Sequence, residues 1–507
     1  MVFFNKGANF PPKEHLERVN RYRENKQLFV GNHYEIFKKY NVSRSHRMYV
    51  SVNLAGVIAK KSADFLIGNG VQVTAGKQDN SNEQKAFDRF REDNDLDILF
   101  YESALANAYR GDSFFKVRYG QEYAGLYPPE MDEHKVRIET VNAEHVFPEV
   151  AEHNRSLITA YHVAVPVVID PYADSKKKNK YKLQVESHYA GRIVYSNYFL
   201  TVFKVAPDGT PLEYKIGNMI DEPEEVLTGV PMPLIVHVPN YAVDEGWEGI
   251  DDLTEIKPLL DELNNRLSQI ADIMDKHSNP AMAIPPNLMV EDEQGRVTFR
   301  VVDSKVFEVD KQDVMPQYIT WNGQLNEAYQ EIDRLTSMIL TTAELPEVAL
   351  GLGDSGTSGS SGLAIKWRMN SLLSKINRKR KYYEKGLKQV FMIAQYLEHG
   401  VGIADYDVAV PKFIFSDGLP KDEMEQTSIA LQKTGGAILQ SRKTALMKLE
   451  GLTEEQAEAE IDRIEDEQQR LRETDPVAKP SIFNEWYADA GSEADPVEDE
   501  TVVTADE

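Results

Sequence analysis

The sequence predicts an α+β protein, with an antiparallel β region set between helical segments and a helical hairpin inserted in the middle of the chain. Three observations predict it. Apolar spacing changes from a helical period to alternation near Ser113 and changes back after Pro239. Two amphipathic stretches of similar length, 250–277 and 322–342, bracket a shorter stretch of β character. A glycine–serine segment then separates this hairpin from an unusually long third helix.

The N-terminal hundred residues read mostly as helix. One helix is expected from Asn53 to Gly70, carrying Leu54, Val57, Ile58, Phe65 and Leu66 and stopped by Gly68-Asn69-Gly70. Another runs from about Asp95 to Tyr109 and is closed by Arg110-Gly111-Asp112. Between Ser113 and Pro239, β-branched and aromatic residues dominate, and turns are expected at Ala190-Gly191 and Pro207-Asp208-Gly209. The Lys-rich stretch 176–180 reads as a solvated turn.

From Leu253 onward, apolar residues at 256, 260, 263, 267, 270 and 274 fall at steps of three and four, a heptad-type seam. Pro258 should start or kink this helix, and Pro280 and Pro285-Pro286 should end it. Val297, Phe299 and Val301 alternate in a β segment, and Lys305 to Val309 continues it. The second helix, 322–342, carries Leu325, Ala328, Ile332, Leu335 and Ile339. Two such helices with a small tip cannot bury both seams alone, so packing against further copies of the chain is the expected completion.

After Pro346, the segment Gly351 to Gly362 holds no apolar residue beyond Leu352 and reads as an exposed loop. The third helix should extend from about Gly362 to Glu398, capped by Ser360 or Ser361 and bent at Gly386. Its stretch Lys366–Lys388 holds nine Lys and Arg against one Glu. A short strand at 408–415 and acidic helices to about 473 follow, and the final 35 residues, with eleven Asp or Glu, read as disordered.

Composition narrows the function. At 507 residues the chain should divide into two to four packed regions. The 57 Lys and Arg against 82 Asp and Glu leave a net charge of −25. A protein that grips DNA over its whole surface is usually basic, so that class is disfavoured, while sliding past DNA through an acidic passage remains open. No cysteine is present, so disulfides and thiolate metal sites are excluded. The N-terminus lacks the pattern of a signal peptide, and no apolar run is long enough to span a bilayer.

Catalytic signatures do not assemble. Gly351-x-Gly353-x-x-Gly356 matches a dinucleotide fingerprint by letters, but a helix and Pro346 precede it in place of a strand. No Walker-type Gly-Lys-Ser or Gly-Lys-Thr follows a glycine loop. The eleven histidines are scattered, with His145, His162 and His188 in expected sheet, where structural roles are commoner than ligation. Asp251-Asp252 and Glu291-Asp292-Glu293 read as solvated acids at a helix start and in a turn, not as a divalent-cation site. The basic residues Lys366, Arg368, Lys375, Arg378, Lys379, Arg380 and Lys381 are either a salt-bridged face, within or between subunits, or a contact for DNA phosphate.

Several stretches, taken in order, carry a resemblance. They are Ala106-Asn-Ala-Tyr-Arg-Gly-Asp-Ser-Phe-Phe-Lys-Val, Val236-His-Val-Pro-Asn-Tyr with Gly249-Ile-Asp-Asp-Leu, Leu260-Asp-Glu-Leu-Asn, Asn279-Pro-Ala, Leu345-Pro and Ser361-Gly-Leu-Ala-Ile-Lys. Together the chain resembles, over about residues 10 to 470, the portal proteins of tailed bacteriophages, particularly long-tailed phages of Gram-positive hosts. The resemblance implies a closed ring of about twelve copies at a capsid vertex. It implies a non-enzymatic channel for packaging, retention and ejection of double-stranded DNA. The implied partners are the terminase motor, head–tail connector or adaptor proteins, and major capsid and scaffolding proteins. No cofactor, metal or membrane is implied, and the place is the virion, after assembly in the host cytoplasm.

In the portal fold so implied, 1–248 is a mixed wing, 249–278 and 322–345 are the stem helices, and 279–321 is a small β-containing clip. Residues 346–361 are the tunnel loop, with Gly351, Gly353, Asp354, Ser355, Gly356, Thr357, Ser358 and Gly359 facing DNA. Residues 362–420 are the long bent helix and its return, 421–472 a helical crown, and 473–507 an acidic tail. Asp261, Glu262, Asp272 and Asp275 would form rings of negative charge along the channel. The alternatives are a soluble nucleic-acid-processing enzyme with an inserted helical hairpin, and a plain capsid or scaffold protein. The first lacks an assembled catalytic site, and the second has no need of a soft loop at a helix junction.

Overall fold

The structure, a computed structural model, describes residues 3–37, 48–68, 70–76, 81–123, 126–128, 130–169, 180–206, 209–278, 282–283, 289–291, 297–299, 317–318, 325–352, 366–416, 423–435, 439–450 and 454–474. The chain forms two compact units, Met1–Leu419 and Pro420–Glu507.

In the first unit the N-terminal helices are α1 (Lys13–Phe29), α2 (His33–Phe37), α3 (Leu54–Ile67), α4 (Asn82–Asp93) and α5 (Leu96–Arg110). Short polar side chains start two of them: Asn53 accepts from the Gly56 N–H at 2.9 Å and Ser81 from Gln84 N–H at 3.2 Å. Gly68 and Gly111 end α3 and α5 where the stop signals place them. The strands are β1 (Asn9–Phe10), β2 (Val71–Thr74), β3 (Asp112–Gly120), β4 (Lys135–Val141), β5 (Val146–Ala151) and β6 (Asn154–Val168). They continue with β7 (Tyr181–Tyr189), β8 (Arg192–Val205), β9 (Pro211–Met219), β10 (Glu224–Leu227) and β11 (Ile235–Pro239).

All of these pairings are antiparallel. A seven-stranded sheet runs β1-β9-β8-β7-β6-β5, with β10 also on β8, and a three-stranded sheet runs β11-β3-β4. The β7–β8 hairpin turns at Ala190-Gly191, as the sequence reading expects.

Helices α6 (Lys257–Ser278) and α7 (Leu325–Thr342) form the hairpin, with Pro258 in the first turn of α6, where its missing N–H costs nothing. Between them lie β12 (Met282–Ala283) paired with β15 (Gln317–Tyr318), and β13 (Met289–Glu291) paired with β14 (Val297–Phe299). Val301, Lys305 to Val309 and the rest of the expected tip lie outside the described residues. Helix α8 (Asn370–Val401) follows, and β16 (Lys412–Phe415) pairs with β2. The second unit contains α9 (Glu423–Gly435), α10 (Arg442–Glu450) and α11 (Glu454–Thr474). The tail beyond 474 lies outside the described residues.

One expectation needs correction. The seam of the first hairpin helix does not wait for another copy over most of its length. Leu253, Ile256, Leu260 and Leu263 are buried in the main core with Leu335, Ile339 and Leu340 of α7 and Leu372, Ile376 and Leu387 of α8. Each such side chain stabilises by about 1.5–3 kcal/mol relative to exposure. Only toward the far end does the seam open, where Met274 is 55% exposed. Gly386, expected as a bend, meets a neighbouring strand. Helix α8 runs through it unbroken, and a Cβ there would overlap Cγ2 of Val238 on β11. Its missing side chain lets helix and strand approach closely.

Candidate functional site

Two of the stretches that carry the resemblance, Ala106 to Val117 and Val236 to Tyr241 with Gly249 to Leu253, meet where the hairpin joins the body, while Asn279-Pro-Ala and 361–365 lie outside the described residues. Gly111 ends α5 with φ +93°, and Gly249 packs back to back with it; a Cβ on either would overlap the other's carbonyl oxygen. Beside them Asp112 is fully buried. It accepts hydrogen bonds from the Tyr22 hydroxyl at 2.5 Å and from the Gly249 N–H at 2.8 Å, and lies 2.6 Å from His237 Nε2. Burial, and then the charge of Asp112, push the Tyr22 hydroxyl well above its ordinary range, so it stays a donor. The Asn240 N–H donates to Gly111 O at 2.7 Å, and its side-chain amide donates to Ile250 O at 2.9 Å.

Asp251 and Asp252 are both buried, which corrects their reading as solvated acids. Asp251 organises the turn ahead of α6: Oδ1 accepts from the Leu253 and Thr254 N–H groups at 2.9 and 2.7 Å, and Oδ2 from the Thr254 hydroxyl at 2.8 Å. Asp252 receives two ammonium groups, Lys379 at 2.5 Å and Lys375 at 3.2 Å. Lys379 also donates to Ser62 Oγ on α3 at 2.5 Å, and Lys375 to Ala343 O at 2.8 Å. Burial alone would raise the Asp252 carboxyl, but the two lysines override it and hold it well below the usual carboxylate range. A buried charge persists only when partnered this way.

The basic run on α8 therefore makes contacts within the chain at four positions. Besides Lys375 and Lys379, Arg378 pairs with Glu344 at 2.6 Å, and Arg380 donates to the carbonyls of Phe65 and Ser416. Lys366, Arg368 and Lys381 are exposed. The salt-bridged reading thus fits Lys375, Arg378 and Lys379, and Arg378 lies on the surface with Lys366, Arg368 and Lys381.

On α6 the four acids do not share one face. At about 100° per residue, Asp261 and Asp272 lie roughly 20° apart around the helix, while Glu262 lies about 100° from Asp261. Glu262 forms an ion pair with Arg266 at 2.9 Å, and Arg266 also reaches Glu331 of α7 at 3.1 Å, so Arg266 cross-links the hairpin. Asp261 and Asp272 are half-buried and Asp275 is exposed. Between these acids, Asn264 and Ser268 accept from the Val52 and Val50 N–H groups at 3.1 and 2.9 Å and hold the chain segment that leads into α3.

Of the loop residues, Gly351 ends a 3₁₀ turn at Glu347–Leu350 in a left-handed conformation. Gly353, Asp354, Ser355, Gly356, Thr357, Ser358 and Gly359 lie outside the described residues. His162 and His188 sit buried in β6 and β7, bonded to Ser187 at 2.9 Å and within 3.4 Å of Glu186 respectively. His145 lies in a 3₁₀ turn beside the sheet. Among the described residues no group of three or more His, Asp or Glu could hold a metal ion, and no helix is long and apolar enough to cross a membrane.

Sequence reasoning missed Asp112, Tyr22, His237 and Asp252 as a group, although Asp112, His237 and Asp252 stand inside the motifs quoted. A usable signal was glycine directly before or near aspartate in two motifs, since both pairs here mark a close backbone approach with a buried acceptor.

Residues 10–474 match the family described as phage portal protein, SPP1 Gp6-like. No curated protein matches the sequence significantly. Among solved structures the fold is similar to a chain in the neck of an empty GTA particle computed with C6 symmetry. That match has a TM-score of 0.45 at 10% identity and covers 89% of this chain and 96% of the other. It is also similar to a chain in the virion of a native gene transfer agent particle, with a TM-score of 0.43, 10% identity and the same coverage.

Proposed function

This chain belongs to the SPP1 Gp6-like family of phage portal proteins, and we propose that it forms a closed ring of about twelve copies through which double-stranded DNA is packaged, retained and ejected. The family is structural and non-enzymatic, and its place is the virion. The observation that carries the finer reading is the hairpin of α6 and α7, fastened to the body at Asp252 and followed by a glycine–serine segment.

In this reading 1–248 is the wing, α6 and α7 are the stem, and 279–321 is the clip that docks the terminase motor and later the connector proteins. Residues 421–472 are the crown toward the head interior. Major capsid and scaffolding proteins would surround the wing while the ring assembles in the host cytoplasm, and the host would be Gram-positive with a long-tailed phage. Residues 346–361 would touch DNA: a segment of Gly and Ser offers no deep binding minimum, so DNA can slip past it. Asp261, Asp272 and Asp275 would repel phosphate from the wall, with Glu262 committed mainly to Arg266. Lys366 and Arg368, just ahead of α8, and Lys381 on it are the cations placed to meet phosphate or a neighbouring subunit.

Negative-stain electron microscopy of the purified chain, with its native mass, tests the proposal. Rings with an axial hole, alone or after addition of head proteins, are the expected result. Compact monomers under both conditions would overturn it.

A further inference from the structure

Both flanks of the glycine–serine segment are tied to one buried carboxylate. At the end of α7, the Glu344 N–H donates to Thr341 O at 3.0 Å and the Leu345 N–H to Leu340 O at 2.9 Å. This is a Schellman turn, whose central position takes a left-handed conformation and usually holds glycine. Here it holds Glu344 at φ +55°, a conformation that L side chains rarely adopt. Such strain persists only where the surroundings over-determine it.

The surroundings are α8. Arg378 Nη2 lies 2.6 and 2.7 Å from the two carboxylate oxygens of Glu344. Lys375 Nζ donates to the neighbouring Ala343 carbonyl at 2.8 Å. Lys375 then converges with Lys379 on Asp252, five residues ahead of α6. The incoming corner of the segment, the helix that leaves it and the head of the hairpin therefore share one set of charges.

We propose that Asp252, Lys375, Arg378 and Lys379 are positioning residues for the glycine–serine segment, clamping its incoming corner at 343–345 to its outgoing helix and to the head of α6. The functional meaning rests on reading 346–361 as the DNA-facing loop; the clamp stands on the distances above. Movement of the corner at 343–345 relative to the hairpin then requires breaking this set, and substitutions in it alter where that corner sits before they alter the rest of the fold.

The chain has no cysteine, so Leu352→Cys and Asn377→Cys provide two unique nitroxide sites, both exposed. Pulsed electron resonance on the full chain, diluted with unlabelled chain, reads the distance distribution between them. The expected result is a narrow distribution that broadens at least twofold with Arg378→Gln and with Asp252→Asn, and narrows again with Arg378→Lys. A core substitution, Leu387→Ala, should lower Tm without broadening it. Should Asp252→Asn fail to fold, Arg378→Gln carries the test, because that pair is largely exposed. Distributions unchanged by Arg378→Gln would overturn the clamp. Electron microscopy of the same samples keeps the two ideas apart, since loss of rings with unchanged distances counts against the channel reading alone.

Discussion

Helix α8 turns Lys375 and Lys379 into the protein, whereas α6 keeps Asp261, Asp272 and Asp275 at half-buried or exposed positions and turns the neutral Asn264 and Ser268 inward. Both helices pack against the same core, so burial alone does not separate them. The difference lies in what each meets. The inner face of α8 meets an acid, Asp252, while the polar side of α6 meets the backbone N–H groups of Val50 and Val52, for which an amide oxygen or a hydroxyl suffices. A run of cations in a sequence is thus no guide to the surface until its partner acid is found, and here the partner lies more than a hundred residues away.

The strongest way to break this contrast is to remove the shared acid. Asp252→Ala leaves two buried ammonium groups without a carboxylate and should cost about 3–5 kcal/mol, while Asp275→Ala on α6 should change stability by less than about 0.5 kcal/mol. Urea unfolding followed by circular dichroism separates the two. Replacing Asp252, Lys375 and Lys379 together by apolar residues of similar volume should recover most of the loss. If Asp252→Ala unfolds like the wild type, the cluster is not the anchor argued here.

Acid offers a second probe, because α1 and the sheet bury histidines that stay neutral. Burial, with Arg18 and His162 adding to it, lowers His15 to about 3, and burial lowers His162 to about 4 despite Glu149 facing it. The unfolded chain binds these protons near pH 6.5, so their contribution is whole above that pH. It is lost as the pH falls from 6.5 toward about 4 and then about 3. Each histidine costs up to about 1.4 kcal/mol per pH unit in that window. His162→Gln should lower the slope of stability against pH between 6 and 5 by about 1 kcal/mol per pH unit, with the buried His15, His33, His145 and His188 keeping theirs; an unchanged slope would show that His162 is not among the acid-sensitive groups.

A third expectation concerns how closely α8 sits. Gly386→Ala should cost about 1–3 kcal/mol through overlap with Val238, and Val238→Ala in the same chain should recover part of it. Equal stability of the single and double variants would mean that the helix shifts freely, which a helix clamped at Asp252 should not do.

Much of this architecture was legible in the chain because periodicity and turn chemistry are local. The stops at Gly68 and Gly111, the hairpin at Ala190-Gly191 and the two hairpin helices all follow from nearby residues. What the sequence hid depends on distant pairing. Asp252 reads as a surface acid until Lys375 and Lys379 are brought to it. Glu344 reads as an ordinary helix-end residue until its φ is seen. Gly386 suggests a bend, since spacing along one helix says nothing of the strand lying against it. The seam of α6 looked too long for one partner because α8, over a hundred residues later, covers part of the same core.

The smallest effect on stability carries the functional side of the contrast. Asp272→Lys with Asp275→Lys should change unfolding by less than about 1 kcal/mol, because neither acid is fully buried. Under the proposed function it should slow DNA packaging or ejection, measured as protected DNA per particle, since the wall would attract phosphate and no longer repel it. Reversing Lys366, Arg368 and Lys381 to Glu is the matched perturbation on α8 and the residues just ahead of it, equally mild for folding. Normal packaging with reversed α6 acids but defective packaging with reversed α8 cations would move the DNA contact from the stem to the helix beyond the loop. Normal packaging in both would leave the exposed charges of the two helices without a role in passage, and the glycine–serine segment as the remaining contact.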